Sequence, residues 1–244
     1  MQYVLVTGAC GGIGSAVVEK LLAQGFGIWA VDRDKERLNS MYGNNDKVHY
    51  RQCEFESEDA TKSLMSTIKD TTGALRGLVH CAGFDKLSPL FLNRRADVEA
   101  LFNIHVYAAM DLCKHLAKKD YAEQGCSIVL ISSLSAHEGA KGHTAYAAAK
   151  GAIEGFLPSA ACELMDKKIR INEVVLGIVR TSMSMGYIDK MDEEQEKLMK
   201  ESYPLGIGNT CDVSGMICYL LSDEASWITG QKFVLDGGHS VRKV

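Results

Sequence analysis

Proline is scarce in this chain: three residues, at positions 89, 158 and 204, out of 244. No Pro/Ser-rich linker divides the sequence and no low-complexity tract interrupts it, so one domain over residues 1–244 is expected. Nowhere do about 18 apolar residues run together, which excludes a transmembrane helix of ordinary length. The chain opens on a strand-like run, so no signal or transit segment is expected and a cytoplasmic location follows. Eight cysteines occur, at 10, 53, 81, 113, 126, 162, 211 and 218, with no Cys-x-x-Cys pair. They read as reduced thiols, mostly in the core, rather than as a disulfide framework. Seven histidines lack metal-ligand spacing, so no metal site is expected. A net charge of −4 gives no basic footprint for nucleic acid. What the chain does have is 46% hydrophobic residues, ample for one α/β core.

The apolar run Val4-Leu5-Val6 ends in Thr7-Gly8-Ala9-Cys10-Gly11-Gly12-Ile13-Gly14 and passes into Ser15–Leu22, where apolar residues fall at helical spacing. Strand, glycine turn and helix start form a pyrophosphate cradle. Glycines at 8, 12 and 14 let backbone approach the phosphates, and the helix start at Ile13 supplies N–H groups and a positive dipole end. An ordinary glycine-rich turn is the plainer alternative. The next run ends at Asp32, eighteen residues past Gly14. A carboxylate at about that spacing accepts hydrogen bonds from ribose hydroxyls and repels a 2′-phosphate. NAD(H) is therefore favoured, while the adjacent Arg33 keeps NADP(H) open.

Strand-like runs recur at 3–7, 27–32, 48–54, 77–81, 127–132, 169–176 and 232–235, with helical patterns between them. This alternation implies βαβ units, so an α/β fold is expected: a doubly wound, seven-stranded parallel sheet with helices on both faces. Ligands of such sheets lie beyond the carboxyl ends of the strands. Gly8, Asp32, Gly83, Ser133 and Leu176 then converge on one rim.

Tyr146 and Lys150 stand four residues apart, on one face of a predicted helix, and Ser133 lies thirteen residues before Tyr146. A nearby ammonium favours phenolate and lowers the phenol's pKa. Such a tyrosine can give a proton to a carbonyl oxygen or take one from an alcohol.

Together these pieces resemble the short-chain dehydrogenase/reductase family over nearly the whole chain. The matching segments are Thr7-Gly-x-x-x-Gly12-Ile13-Gly14, Cys81-Ala82-Gly83, Ser132-Ser133, Tyr146-x-x-x-Lys150, Arg170-Ile171-Asn172, Gly177-Ile178-Val179-Arg180-Thr181 and Ile228-Thr229-Gly230-Gln231 with Asp236-Gly237-Gly238. The resemblance implies a Rossmann fold, an NAD(P)-dependent alcohol/ketone oxidoreductase and a homo-oligomer, usually a tetramer. It implies that Tyr146 is the acid/base, that Lys150 tunes it and binds the nicotinamide ribose, and that Ser133 holds the substrate oxygen. Thr181 would hold the nicotinamide carboxamide, and Gly177 and Val179 would belong to the same loop.

The chain departs from the family pattern in several places. His80 stands where an Asn usually ties neighbouring strands together, and is expected to take over that structural role. His105 falls where the family has its relay Asn. It either preserves the proton relay, titrating near pH 6.5, or merely packs in its helix. Leu176 replaces a proline, which frees a backbone N–H. Glu54 takes the place of an adenine-contacting Asp, with Gln52 or Phe55 as alternatives in that pocket.

Residues 181–204 correspond to the family's substrate lid and carry Met183, Met185, Met191 and Met199, a flexible apolar set. An amphipathic helix from about 192 to 202 fits the same stretch, and residues 84–92 would form another wall. His137, Glu138 and His143 are either recognition groups for a polar substrate or a solvated loop. Leu101, Ile104, Ala108 and Leu112, on a helix expected over 98–118, fit either a subunit interface or internal packing. Three functions are thus open. The first is an NAD(H)-dependent oxidoreductase for a small secondary alcohol or ketone, such as a sugar or polyol. The others are a 3-oxoacyl thioester reductase using NADPH, and a non-catalytic dinucleotide-binding sensor or scaffold.

Overall fold

Val4, Leu5 and Val6 of the first strand have no solvent exposure at all, as a strand covered on both faces requires. In the computed structural model, which describes residues 1–242 except the side chain of Tyr187, seven strands form one sheet. They are β1 (Tyr3–Thr7), β2 (Gly27–Asp32), β3 (Val48–Gln52), β4 (Leu75–His80), β5 (Ala122–Ser133), β6 (Arg170–Leu176) and β7 (Lys232–Leu235). Every pairing is parallel, in the order β3-β2-β1-β4-β5-β6-β7.

Alternate side chains point to opposite faces, and each face builds its own core. Leu5, Leu78, Ile128, Leu130 and Ile171 pack on one side against helices α3 (Glu58–Thr72), α5 (Ala108–Leu116) and α6 (Thr144–Met165). Val4, Val6, Ile28, Val129 and Val174 pack on the other against α1 (Gly12–Ala23), α2 (Lys35–Tyr42) and α9 (Thr210–Leu221). The strand order reverses between β1 and β4, and that switch point opens the ligand crevice of a doubly wound sheet.

Three strands have the expected bounds. β3 stops at Gln52 instead of 54, and Phe55 just beyond it turns the chain with φ of +55°. β5 starts earlier than expected, at Ala122, because a register shift against β4 lets Leu75 pair with Ala122. The continuous helix expected over 98–118 is instead α4 (Arg95–Phe102), a π-helical turn over Asn103–Tyr107, and α5. Leu101, Ala108 and Leu112 are buried and Ile104 is partly so, which assigns that stripe to packing inside the chain. The lid region forms α7 (Ser182–Ile188) and α8 (Glu193–Ser202). α8 begins at an Asp192/Gln195 capping box, matching the expected helix.

The cysteines divide more evenly than expected. All eight are free; Cys10, Cys113, Cys126 and Cys218 are buried, while Cys162 and Cys211 are exposed. Among the described residues no helix is long and apolar enough to cross a membrane, and no three His, Cys, Asp or Glu side chains could hold a metal ion.

Candidate active site

The turn after β1 needs its glycines for steric reasons. Gly8 has φ of +64°, and a Cβ there would lie 2.8 Å from the Ala82 backbone. A Cβ on Gly14 would sit 2.1 Å from the Gly8 carbonyl oxygen, and one on Gly12 would meet Thr181 Cγ2 at 3.0 Å. The chain thus keeps backbone bare at the start of α1, where helix N–H groups have no intrahelical partner. A cradle of this shape fits a dinucleotide pyrophosphate.

Gly8, Gly12, Ile13 and Gly14 line one wall of a cleft of about 990 Å³. Asp32, Arg33, Glu54 and Phe55 line a second stretch, and Cys81, Ala82, Gly83 and Thr181 a third. Gly177 and Val179 are not among its lining residues. Gly177 packs closely on Asp236 and Tyr203, and Val179 is buried. Gln52 does not reach the cleft; its amide donates to the Arg33 carbonyl at 3.0 Å. The Asp32 carboxylate accepts the N–H of Cys10 at 2.9 Å and of Asp34 at 3.2 Å, which fixes it at the end of β2. Arg37, which the sequence did not single out, also lines the cleft and donates to the Cys10 carbonyl at 2.7 Å. It lies five residues past Asp32 on α2, a spacing that carries no motif.

His80 ties three segments together. Its Nε2 lies 2.9 Å from the Ile104 carbonyl, so that nitrogen is the donor. Nδ1 is then the acceptor for the Thr7 hydroxyl at 2.8 Å, and Thr7 Oγ1 in turn receives the Ala82 N–H at 3.2 Å. Burial pushes the His80 pKa down to about 4, so the neutral tautomer persists. The Ile104 carbonyl belongs to the π-helical turn, a feature frequent at functional sites.

His105, on the same turn, is 3% exposed, and its Nε2 lies 2.8 Å from the Phe84 carbonyl. The ring covers Gly83, where a Cβ would be 2.2 Å from His105 Cε1. It stands edge-on to the Tyr146 ring with centroids 5.4 Å apart. Burial, reinforced by the charge of Lys150, holds its pKa well below the ordinary histidine range. Titration near pH 6.5 is therefore corrected: His105 is a neutral imidazole packed on the tyrosine.

Tyr146 and Lys150 lie on α6, and Lys150 Nζ is 5.5 Å from the centroid of the Tyr146 ring. That ammonium donates to the Ile131 carbonyl on β5 at 2.8 Å, two residues before Ser133. Burial lowers the Lys150 pKa to about 8, against upward pulls from Glu173, Cys81 and Asp85. Ser133 ends β5, and its Oγ accepts the Ser135 N–H at 3.2 Å. A cation this close to a phenol ring favours the charged form of the phenol.

The loop carrying His137, Glu138 and His143 is exposed at His137 and at 139–141, and each of the three side chains has a partner. His137 pairs with Glu154 at 2.7 Å, Glu138 with His239 at 3.0 Å and His143 with Asp85 at 3.0 Å. Asp85, which the sequence did not single out, lines the cleft two residues past Gly83. Buried Asp85 Oδ1 and His143 Nδ1 have no hydrogen-bond partner among the described residues. The lid methionines also separate: Met183 lines the cleft, whereas Met199 is the buried residue of α8.

A glycine cradle at the switch point of a parallel sheet, with the Tyr146–Lys150 pair of α6 behind the cleft wall formed by Gly83 and His105, is the frame of an α/β dinucleotide-binding oxidoreductase. The chain belongs to the short-chain dehydrogenase/reductase family, whose members act on CH–OH and carbonyl groups. A family model described as Enoyl-(Acyl carrier protein) reductase matches residues 8–240. The mouse 3-oxoacyl-[acyl-carrier-protein] reductase is 32% identical over 96% of this chain and 95% of its own. The corresponding FabG protein of Thermotoga maritima is 30% identical over 96% of both. Among solved structures, a short-chain type dehydrogenase/reductase from Mycobacterium ulcerans superposes with a TM-score of 0.89 at 30% identity, covering 99% of this chain and 90% of that one. A 4-hydroxyisoleucine dehydrogenase complexed with NADH superposes with a TM-score of 0.91 at 25% identity, covering all of both chains.

Proposed function

We propose that this chain is an NAD(H)-dependent oxidoreductase that interconverts a secondary alcohol and a ketone, with Tyr146 as the acid/base. The observation that carries this reading is the buried Lys150 ammonium over the Tyr146 ring. Lys150 lowers the cost of the Tyr146 phenolate, and that phenolate takes the alcohol proton or returns it to the ketone oxygen. The Ser133 hydroxyl steadies charge on the substrate oxygen. His105 fixes the ring of Tyr146 from the side and, being neutral, adds no competing charge. When bound, the nicotinamide supplies the hydride acceptor or donor. Gly8, Gly12 and Gly14 would hold the dinucleotide's pyrophosphate, and Thr181 would hold the nicotinamide carboxamide.

Asp32 in the cleft supports NAD(H). The unpartnered Asp85 and His143 atoms support a substrate that carries a further hydroxyl, because a buried polar atom gains most from a matching partner. Arg33 and Arg37 beside Asp32 favour the second reading, a 3-oxoacyl thioester reductase using NADPH, as do the names of the relatives. Trp227 is 98% exposed and Val234 on β7 51% exposed. An apolar surface of that kind supports a homo-oligomer closed about the terminal strand.

The test is a panel of alcohols and ketones assayed with both cofactors, alongside Tyr146→Phe. Turnover is expected with polyhydroxylated substrates and NAD(H), falling by about 10³-fold or more in Tyr146→Phe while NADH binding persists. Undiminished turnover in that variant would remove the proton role. Tighter binding of NADPH than NADH would remove the cofactor assignment in favour of the second reading.

A further inference from the structure

Acid/base work at one substrate oxygen needs the Ser133 hydroxyl and the Tyr146 phenol together, yet they sit on different elements. Ser133 ends β5 and Tyr146 lies on α6. Their separation is set by whatever joins α6 to the stretch around Ser133. That stretch runs from Ser132 through a short 3₁₀ turn, Leu134–Ala136, to His137. The Ser133 hydroxyl bonds within the turn, to the N–H and the hydroxyl of Ser135, each at 3.2 Å. Those bonds shape the turn but do not tie it to α6.

Glu154 supplies that tie. It follows Lys150 by four residues on α6, so the two share a helix face. Its side chain is only 6% exposed. Oε1 accepts the Ser132 hydroxyl at 2.9 Å, and Oε2 lies 2.7 Å from His137 Nε2 and 2.9 Å from Lys232 Nζ. A buried carboxylate is costly unless its oxygens are paired, and both oxygens of Glu154 are. Ser132 precedes Ser133 directly and His137 closes the turn, so one carboxylate of α6 grips both ends of the stretch that carries Ser133. Lys150 adds a second link from α6, through the Ile131 carbonyl at 2.8 Å. Glu138, the next residue, pairs instead with His239 of the C-terminal segment. Pro158 lies inside α6 and has no N–H to give the Glu154 carbonyl, so the helix is one main-chain bond short at that residue. Glu154 does not line the cleft, so contact with cofactor does not explain it.

We propose that Glu154 is a positioning residue: by holding Ser132 and His137 to α6, it sets the Ser133 hydroxyl against the Tyr146 phenol. This rests on the roles given above to Ser133 and Tyr146. Glu154 touches neither substrate nor cofactor and acts through the turn it grips. With both ends of the turn held, Ser133 cannot drift from the helix that carries Tyr146. A misplacement of about 1 Å at a reacting group costs up to about 10²-fold in rate. Such a loss falls on the transition state, so kcat and kcat/KM drop together while KM holds. Lys232 shares Oε2 with His137 but belongs to β7, so its pairing with Glu154 joins the sheet edge to α6 without involving the turn.

The test compares steady-state kinetics and amide hydrogen exchange in wild type, Glu154→Gln, His137→Ala and Lys232→Met. In Glu154→Gln, kcat should fall by about tenfold or more, with KM and NADH affinity within about twofold of wild type. The amides of residues 133–137 should exchange about tenfold faster or more in that variant. His137→Ala alters an exposed side chain and should lower kcat in the same way. Adding it to Glu154→Gln should cost nothing further, because the two side chains act through one contact. Lys232→Met should keep kcat within about twofold of wild type while unfolding at lower denaturant. An unchanged kcat in His137→Ala, an equal kcat loss in Lys232→Met, additive losses in the double variant, or unchanged exchange in Glu154→Gln overturns the proposal. If Glu154→Gln does not fold, the contrast between His137→Ala and Lys232→Met decides. Hydrogen exchange needs no turnover, so its failure is distinct from a failure of Tyr146→Phe.

Discussion

The neutral His80 makes the stability of this protein depend on pH in a way that one substitution isolates. The folded-state pKa is about 4, against an ordinary value of 6.5. Above pH 6.5 neither folded nor unfolded His80 carries the proton, and its contribution is fully present. Between 6.5 and 4 the unfolded chain binds a proton that the folded chain rejects, so stability falls as the pH falls. The slope is about 1.4 kcal/mol per pH unit, which amounts to roughly 2 kcal/mol by pH 5. Below pH 4 the loss levels off. In His80→Asn the amide still has a donor for the Ile104 carbonyl and an acceptor for the Thr7 hydroxyl, but it does not titrate. The smaller side chain leaves space beside Phe55, whose ring meets that of His80 edge-on at 6.0 Å. That void costs about 1–2 kcal/mol at pH 7. Denaturant unfolding from pH 7.5 to 4 should therefore find the variant less stable at neutral pH and its curve crossing that of wild type between about pH 5 and 6. His105 and His115, whose pKa values are also lowered by burial, belong to both proteins and largely cancel in the difference. A stability difference that stays constant across this range would refute the buried neutral imidazole.

Gly83→Ala should force the His105 ring off its position, because the new methyl would lie 2.2 Å from Cε1. Overpacking of this kind costs about 1–3 kcal/mol, and kcat/KM should fall by at least tenfold as Tyr146 loses its edge-on neighbour. An unchanged denaturation midpoint would mean that the ring yields freely. Light scattering of the purified protein should give a whole multiple of the monomer mass, and a Trp227→Glu variant should lower it. A monomer in wild type ends the homo-oligomer assignment.

Local sequence was enough for features that depend on neighbours in the chain. The β-branched run of β1, the glycines that follow it, Asp32 at the end of β2 and the i, i+4 pair Tyr146 and Lys150 each state their geometry within a few residues. The Asp192 cap of α8 does so as well, because capping is a contact across three residues. The alternation of runs then implied the parallel sheet, since strands separated by helices have few other ways to bury both faces. Protonation states were a different matter. His80 and His105 read as ordinary histidines until β4 lay beside β1 and the π-helical turn closed over both, removing the water that would stabilise a charge. Asp85 and His143 are 58 residues apart in the chain and meet, at 3.0 Å, only in the folded protein. Glu173 shows the limit most clearly: a lone glutamate in an apolar strand gives no periodic signal. Its surroundings come from β7 and from one face of α6, and burial against those elements pushes its pKa up to about 8. Chain order supplied the elements and the reacting side chains. Only the packing of distant segments set the local dielectric, and with it the charge each buried group carries.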